Sequence, residues 1–308
     1  MVVRRPLVTI AGVVQELPLA DSVPGLDPHD LTVTAPAAPA AGAVRMFRRS
    51  LAGRQMPAWI GPSGLETTVQ ASLLRNKIGL WQPPGDATTV PGVFGMAALS
   101  VQGTATARAV VAGTALQRAR RLGYVSAATA AAFGAARLAV AQVTLGDGAG
   151  LGGFYSVIRF AFTDPVLVTD ARSFVGARNS VAAATNVEPN TLTNSIGVGH
   201  GAADANLKLF YGGSTAQTPI DLGATFSKAL NIPYELILNA LPNTANTVGW
   251  QVTRLDTGAT TSGEITGAAT VIPQSSMLMT PFSLMRTNNA TAASVALDII
   301  SLGFETDN

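Results

Sequence analysis

The glycine-rich stretch at residues 148–153 is the segment whose spacing best matches a known ligand-binding motif. It reads GAGLGG and satisfies the pattern G-x-G-x-x-G. In a dinucleotide site this pattern joins a strand to a helix, and the helix N-terminus faces the pyrophosphate. The residues that follow, FYSVIRFAF at 154–162, are aromatic and β-branched, which favours a strand. We therefore predict a loop between two strands and no nucleotide cofactor.

Paired carboxylates would point to glycoside hydrolysis, which needs two acidic side chains flanking one bond. The glutamates are well separated, and no two lie within five positions of each other: Glu16, Glu66, Glu188, Glu235, Glu264 and Glu305. Carboxylates from different strands can still converge, for example Glu235 with Asp221, so a glycan depolymerase remains an alternative. The turn-like aspartates form no alternating acidic loop of the kind that binds calcium. We predict no catalytic residue and no metal site.

Cysteine and histidine offer little further chemistry. The chain has no cysteine, which excludes disulfides, thiolate catalysis and zinc–thiolate sites. Its two histidines, His29 and His200, are far apart in sequence. A lone histidine is more often a hydrogen-bonded core or surface residue than a ligand, and we predict no cofactor.

The charge distribution argues against nucleic-acid and membrane partners. The net charge is +2, and the arginine clusters at 45–54 and 118–121 are short. A non-specific nucleic-acid binder should carry a dense basic stripe, so we interpret both clusters as solvated faces or intersubunit contacts. No stretch approaches the roughly 18 uninterrupted apolar residues of a spanning helix, and we predict no membrane insertion.

Short apolar or alternating runs, separated by Gly, Asn, Asp and Pro, recur from about residue 57 onward. This pattern predicts an all-β fold, an antiparallel and jelly-roll-like β-sandwich. The predicted strands include Lys77–Trp81, Ala139–Leu145, Phe154–Phe162, Ser195–Val198, Leu207–Tyr211, Tyr234–Leu238, Val248–Leu255 and Val295–Phe304. We interpret the alanine-rich residues 126–138 as a loop or short helix entering a strand, and residues 221–230 as holding one helical turn.

The N-terminal part is rich in proline and has a different texture. Prolines at 18, 24, 28, 36 and 39 break helices and central strands. We predict an extended arm at 1–30, a Pro/Ala-rich linker or shaft at 31–56, and a β-sandwich head at 57–308. Because the first two segments bury little within one chain, partner chains or a docking surface would have to order them.

The aromatic residues are mostly expected in the core. Tyr211 differs, because Gly212-Gly213-Ser214 follows it and would place it at a strand end beside an exposed loop. Tyr211 is therefore the candidate receptor-contact residue.

The chain resembles the tail-fibre and minor structural proteins of tailed bacteriophages. The resemblance rests on several blocks: RPLVTIAG at 5–12 with ELP at 16–18, GPSGLE at 61–66, RNKIGLW at 75–81, RLGYV at 121–125, LGDGAGLGGF at 145–154, VEPNTLTN at 187–194, GWQVTRL at 249–255 and FETD at 304–307. The first block looks like the virion-attachment arm of such fibres, and the others are similar to a recurrent module that covers about residues 57–308.

The resemblance implies a β-sandwich head on a fibre or spike, usually a homotrimer with its N-termini fixed to the virion. The candidate virion-anchoring residues are Pro6, Leu7, Val8, Ile10, Glu16 and Leu17. The implied partners are sister chains, other tail, collar or portal-complex proteins, and a host-surface glycan or protein. The implied location is the virion, after synthesis in the host cytoplasm. A purely architectural collar, head or tail decoration protein is the alternative.

Overall fold

The computed structural model describes residues 36–37, 39–40, 43–60, 77–90 and 93–306, and the backbone alone of residues 7–10, 13–16, 66–68 and 92. The chain divides into two compact units, Met1–Ala71 and Ser72–Asn308.

The first unit contains a hairpin and a small antiparallel sheet. In chain order its strands are β1 (Leu7–Ile10), β2 (Val13–Glu16), β3 (Arg45–Leu51), β4 (Arg54–Ile60) and β5 (Glu66–Thr68). β1 pairs with β2, and β4 lies between β3 and β5. Ala52 and Gly53 join β3 to β4 with positive φ at both positions, which suits a two-residue hairpin turn. Phe47, Ala58 and Ile60 form a small buried cluster.

Residues 45–60 therefore form paired strands rather than a linker or shaft, and the predicted boundary at residue 57 falls inside β4. The division of the chain into two compact units falls after Ala71. The reason is local, because the last proline of the rich stretch is Pro39, and beyond it Phe47, Met56 and Ala58 alternate with exposed residues. An alternating run of this kind gives one buried sheet face.

The larger sheet of the second unit has nine antiparallel strands. Five of them run in order from one edge: β19 (Thr260–Thr266), β18 (Thr247–Arg254), β17 (Pro233–Ala240), β12 (Phe154–Phe162) and β21 (Ala296–Thr306). Beyond β21 the sheet continues as two short hairpins: β10 (Arg121–Val125) with β9 (Thr104–Arg108), and β6 (Lys77–Gln82) with β7 (Gly92–Phe94). The first half of β21 pairs with β10 and its second half with β6, so both hairpins lie along one side of this long strand.

The smaller sheet has seven antiparallel strands. Their order is β16 (Ile220–Asp221), β15 (Lys208–Gly212), β14 (Ser195–His200), β13 (Arg172–Arg178), β20 (Thr280–Thr287), β11 (Phe133–Leu138) and β8 (Leu99–Gln102). Alternate side chains of the two sheets meet in one continuous core that includes Ile158, Phe160 and Leu236 from the larger sheet and Val175, Val198 and Leu284 from the smaller. The second unit is therefore an antiparallel β-sandwich, which confirms the predicted fold class.

Residues 179–194 cover part of the outer face of the smaller sheet. Leu192 joins Phe174, Phe210 and Met285 in a second apolar cluster, with Ala184 packed against it. The Nε–H of Arg137 donates to the carbonyl of Val181 at 2.8 Å. This segment makes the central strands of the smaller sheet apolar on both faces.

Most predicted strands are present, with ends that differ by one or two residues. Residues 139–145 are the exception, since they contribute only an isolated bridge from Val143 to Met279. The alanine-rich residues enter β11 through a loop without a helix, and a 3-10 turn at Ala224–Phe226 confirms the predicted helical turn. The described residues also contain the short helix α1 (Ala115–Arg118) and a 3-10 turn at Pro189–Thr191.

Candidate functional site

The sheet formed by β3, β4 and β5 carries apolar side chains on both faces. Phe47, Ala58 and Ile60 are buried on one face. On the other face Met46 lies opposite Trp59 in the strand register, and each is 41% exposed. An antiparallel sheet with one solvated face normally alternates apolar and polar residues, so this second face has the character of a contact surface. We call it the Met46/Trp59 face.

The second unit has an open groove beside the β6–β7 hairpin, with a volume of about 390 Å³. Its apolar lining consists of Leu80, Pro83, Pro84, Val93 and Phe94. Leu80 and Phe94 are cross-strand partners, and Phe94 is 66% exposed. Two polar side chains, Gln82 and Arg120, complete the lining.

The backbone at Gly85 positions Arg120 beside this groove. A Cβ atom at Gly85 would lie 3.2 Å from Cγ of Arg120 and 2.9 Å from Cγ2 of Val110, so both side chains pack over the glycine. The carbonyl of Gly85 accepts the backbone N–H of Arg108 at 3.0 Å, which ties the end of β6 to the end of β9. The aliphatic stem of Arg120 is thereby held while its guanidinium remains exposed.

A buried carboxylate neutralises part of the nearby positive charge. Asp298 accepts from Nε of Arg108 at 3.1 Å, Nε of Arg121 at 3.0 Å and Oγ1 of Thr163 at 2.7 Å. Within the described residues, Arg118 and Arg120 have no ion-pair partner. Positive charge is therefore in excess along residues 108–121.

A second polar cluster lies in the interior at one end of the sandwich. Asp164 forms a two-point ion pair with Arg286, with Nε to Oδ1 at 2.6 Å and Nη2 to Oδ2. The guanidinium also lies over the Phe162 ring, with Cζ 4.6 Å from the centroid. Since Arg286 and Asp164 are almost inaccessible to solvent, we assign the pair a structural role.

His200 belongs to the same interior cluster. Its Nδ1 lies 2.9 Å from Oγ of Ser173, and its backbone N–H donates to the same oxygen at 3.0 Å. Burial, followed by the positive charges of Arg286 and Lys228, holds the pKa of His200 well below its usual value. The imidazole is therefore neutral at pH 7, and its burial gives a substrate no access to this serine–histidine pair.

The predicted receptor-contact residue, Tyr211, lies near the end of β15. It is half-buried, packs against the main core, and its carbonyl accepts the backbone N–H of Gln217 at 3.0 Å. Its role in contacting a receptor stays a prediction.

The predicted anchoring residues lie in or beside the first hairpin. Leu7, Val8 and Ile10 belong to β1 and Glu16 to β2, where Leu7 pairs with Glu16. Pro6 and Leu17 lie outside the described residues. The anchoring role of all six residues stays a prediction.

The carboxylates named as a possible convergent pair have separate local partners. Glu235 accepts from Nε of Arg159 at 2.6 Å on the larger sheet. Asp221, on the smaller sheet, accepts from the Gly223 backbone at 2.7 Å and from Asn206 at 3.0 Å.

The glycine-rich motif forms a loop that precedes a strand, as predicted. The predicted strand before the loop is wrong, since residues 139–145 contribute only the isolated bridge at Val143. Asp147 Oδ1 accepts the backbone N–H groups of Ala149 and Leu151, at 2.7 and 3.0 Å. Four glycines of this loop, Gly148, Gly150, Gly152 and Gly153, have positive φ. β12 follows directly, so a helix N-terminus does not face the loop.

Sequence reasoning did not select Met46, Phe94 or Arg120. Met46 and Trp59 could have been found by following alternation through residues 44–60. For Phe94 and Arg120 the sequence holds no comparable signal, because their proximity depends on two hairpins meeting beside β21.

The described residues provide neither a metal-binding cluster nor a membrane-spanning helix. They contain no group of three or more His, Cys, Asp or Glu side chains able to hold a metal ion. Among the helices described above, none is long and apolar enough to cross a membrane.

No protein-family model and no curated protein matches the sequence. Among solved structures, arcelin-5, a lectin-like defense protein from Phaseolus vulgaris, has a TM-score of 0.47 and 12% identity over 75% of this chain and 98% of its own. A protein of unknown function from Shewanella oneidensis MR-1 has a TM-score of 0.47 and 13% identity, covering 77% of this chain and 90% of its own. Peanut lectin has a TM-score of 0.45 and 14% identity over 68% of this chain and 90% of its own. At these identities and TM-scores, the likenesses assign no ligand and no activity to this chain.

Proposed function

We propose that this chain is a phage virion structural protein, a tail fibre or spike. In this proposal the first unit docks to sister chains and to another protein of the particle, and the β-sandwich head contacts the host surface.

The observation that carries the proposal is the Met46/Trp59 face. The opposite face of the same sheet already uses Phe47, Ala58 and Ile60 for the core of the unit. Val44, just before β3, adds a further exposed apolar side chain. Exposed apolar surface of this kind marks protein contacts, and a sheet this small gains stability when a partner covers it.

In this proposal, the durability of the particle protein outside the cell does not depend on disulfides. The chain has no cysteine, so durability must come from packing and association. Homotrimeric association, which the fibre resemblance implies, would cover the Met46/Trp59 face without another gene product.

The pKa directions of three carboxyl groups make those three unsuited to act as the acid of a glycosidase. The N–H groups of Leu151 and Ala149 lower the pKa of Asp147, and the Gly223 N–H followed by Asn206 lowers that of Asp221. A hydrogen bond from Arg254 lowers the pKa of Asp256. A glycosidase acid needs a pKa raised towards neutrality, which is the opposite direction.

The test changes the Met46/Trp59 face in the full chain and measures incorporation into particles. We expect the double variant Met46→Ser/Trp59→Ser to reduce the copies per purified virion, counted by quantitative mass spectrometry, by about tenfold or more, because hot-spot aromatics dominate such contacts. The control is Val166→Ser/Leu167→Ser, which removes two exposed apolar side chains from a loop of the head. Absence of the wild-type chain from virions, or normal incorporation of the first variant, would refute the proposal.

A further inference from the structure

We infer that the groove lined by Leu80, Phe94 and Arg120 binds a sugar ring that carries a carboxylate. This inference rests on the proposed function, since it names the class of host-surface glycan that the head would contact.

The shape and lining of the groove fit a small ligand with one apolar face. A volume of about 390 Å³ lies within the range of small-molecule sites, which are mostly apolar with a few placed polar groups. The exposed Phe94 ring stands beside Leu80 and offers a flat surface for the C–H face of a sugar. The Gln82 amide supplies a donor and an acceptor for hydroxyl groups.

The charge around the groove selects an acidic ligand over a neutral one. Four arginines lie in residues 108–121, and the buried Asp298 pairs with two of them. Asp86 is the exposed carboxylate closest in sequence to Gly85, and it has no ion-pair partner among the described residues. The net charge of these residues around the groove is therefore positive even when the carboxylate of Asp86 is counted.

Arg120 is the arginine placed to use this charge. Its stem is held against Gly85 and Val110, so its guanidinium loses less freedom on binding than that of an unrestrained arginine. A guanidinium binds a carboxylate in a planar two-point geometry. Arg118, two residues earlier on α1, is exposed and does not line the groove.

The test measures binding of D-glucuronate, D-glucose and inorganic phosphate to the full chain. Saturation-transfer NMR identifies the sugar protons that contact protein, and a titration gives the dissociation constant. We expect glucuronate to bind with a millimolar dissociation constant and glucose to bind about tenfold more weakly. The reason is that charge-assisted hydrogen bonds to the carboxylate raise the affinity by about one order of magnitude or more. Arg120→Gln should weaken glucuronate binding by about tenfold and Phe94→Ala by about threefold or more.

Arg118→Gln is the matched control, because it removes the same charge two residues away. It should change glucuronate affinity by less than about twofold, the effect of an unspecific change in surface charge. Phe94, Arg118 and Arg120 are all exposed, so we expect the three variants to keep the Tm of the unchanged protein. A lower Tm would reveal a variant whose loss of binding comes from a folding defect.

Three outcomes would overturn the inference. They are equal affinity for glucose and glucuronate, phosphate binding as tight as glucuronate, and equal losses in Arg118→Gln and Arg120→Gln. Virion incorporation is measured separately through the Met46/Trp59 face, so the sugar site can fail while the structural role stands. If the chain is absent from virions but still binds glucuronate, the structural role fails while the sugar site stands.

Discussion

His200 and Lys228 show how burial in the sandwich changes single side chains. Burial, and then the charge of Arg286, lowers the pKa of Lys228 to about 8, while its ammonium donates to the carbonyls of Thr169 and Ala171 at 2.7 and 3.0 Å. Burial also favours neutral His200. Lys228 therefore remains mostly charged at pH 7, whereas His200 remains neutral.

The depressed pKa of His200 makes stability depend on pH. The unfolded chain gains a proton at this histidine below about pH 6.5 and the folded chain does not, so stability is full above that pH and falls below it. We expect a loss of up to about 1.4 kcal/mol per pH unit between pH 6.5 and 5 in urea unfolding. His200→Gln should remove this slope even if it lowers stability overall. An identical slope in both proteins would contradict the assignment.

At the level of elements, β13 and β14 approach each other through glycines. A Cβ atom at Gly199 would lie 1.9 Å from the carbonyl oxygen of Ser173, and one at Gly197 would lie 2.8 Å from Cζ of Phe174. The Phe174 ring thus covers the backbone where a side chain would otherwise stand.

These contacts predict different outcomes for two glycine substitutions. Gly199→Ala should lower the free energy of unfolding by about 1–3 kcal/mol or more, because the neighbouring strand has to move. Gly303→Ala is the control, since its nearest atoms would be 3.9 Å away, and we expect a change within about 0.5 kcal/mol. Urea unfolding of both variants provides the comparison. Equal effects would mean that the strand spacing is not limited by Gly199.

At the level of the whole molecule, each unit has its own apolar cluster. The core of the second unit extends across both of its sheets, while the first unit buries Phe47, Ala58 and Ile60. The second unit should therefore fold without the first.

A truncation series tests this independence. Residues 72–308 alone should keep the near-UV circular dichroism of the head and change its Tm by less than about 4 °C, equivalent to about 1 kcal/mol. A shorter chain starting at residue 83 lacks β6 and the buried Trp81, which pairs with Leu302 of β21, and it should be strongly destabilised. Unfolding of the 72–308 chain would show that the head needs the first unit.

Alternation and turn residues were sufficient to predict the sandwich and strands such as β12 and β17, because side-chain period and turn chemistry are local properties. The same rules failed at residues 139–145, where apolar side chains such as Val143 pack into the core without continuous strand pairing. The neutral His200 and the groove beside Arg120 were decided by the tertiary structure. Both depend on groups distant in sequence, which only the packing of the strands brings together.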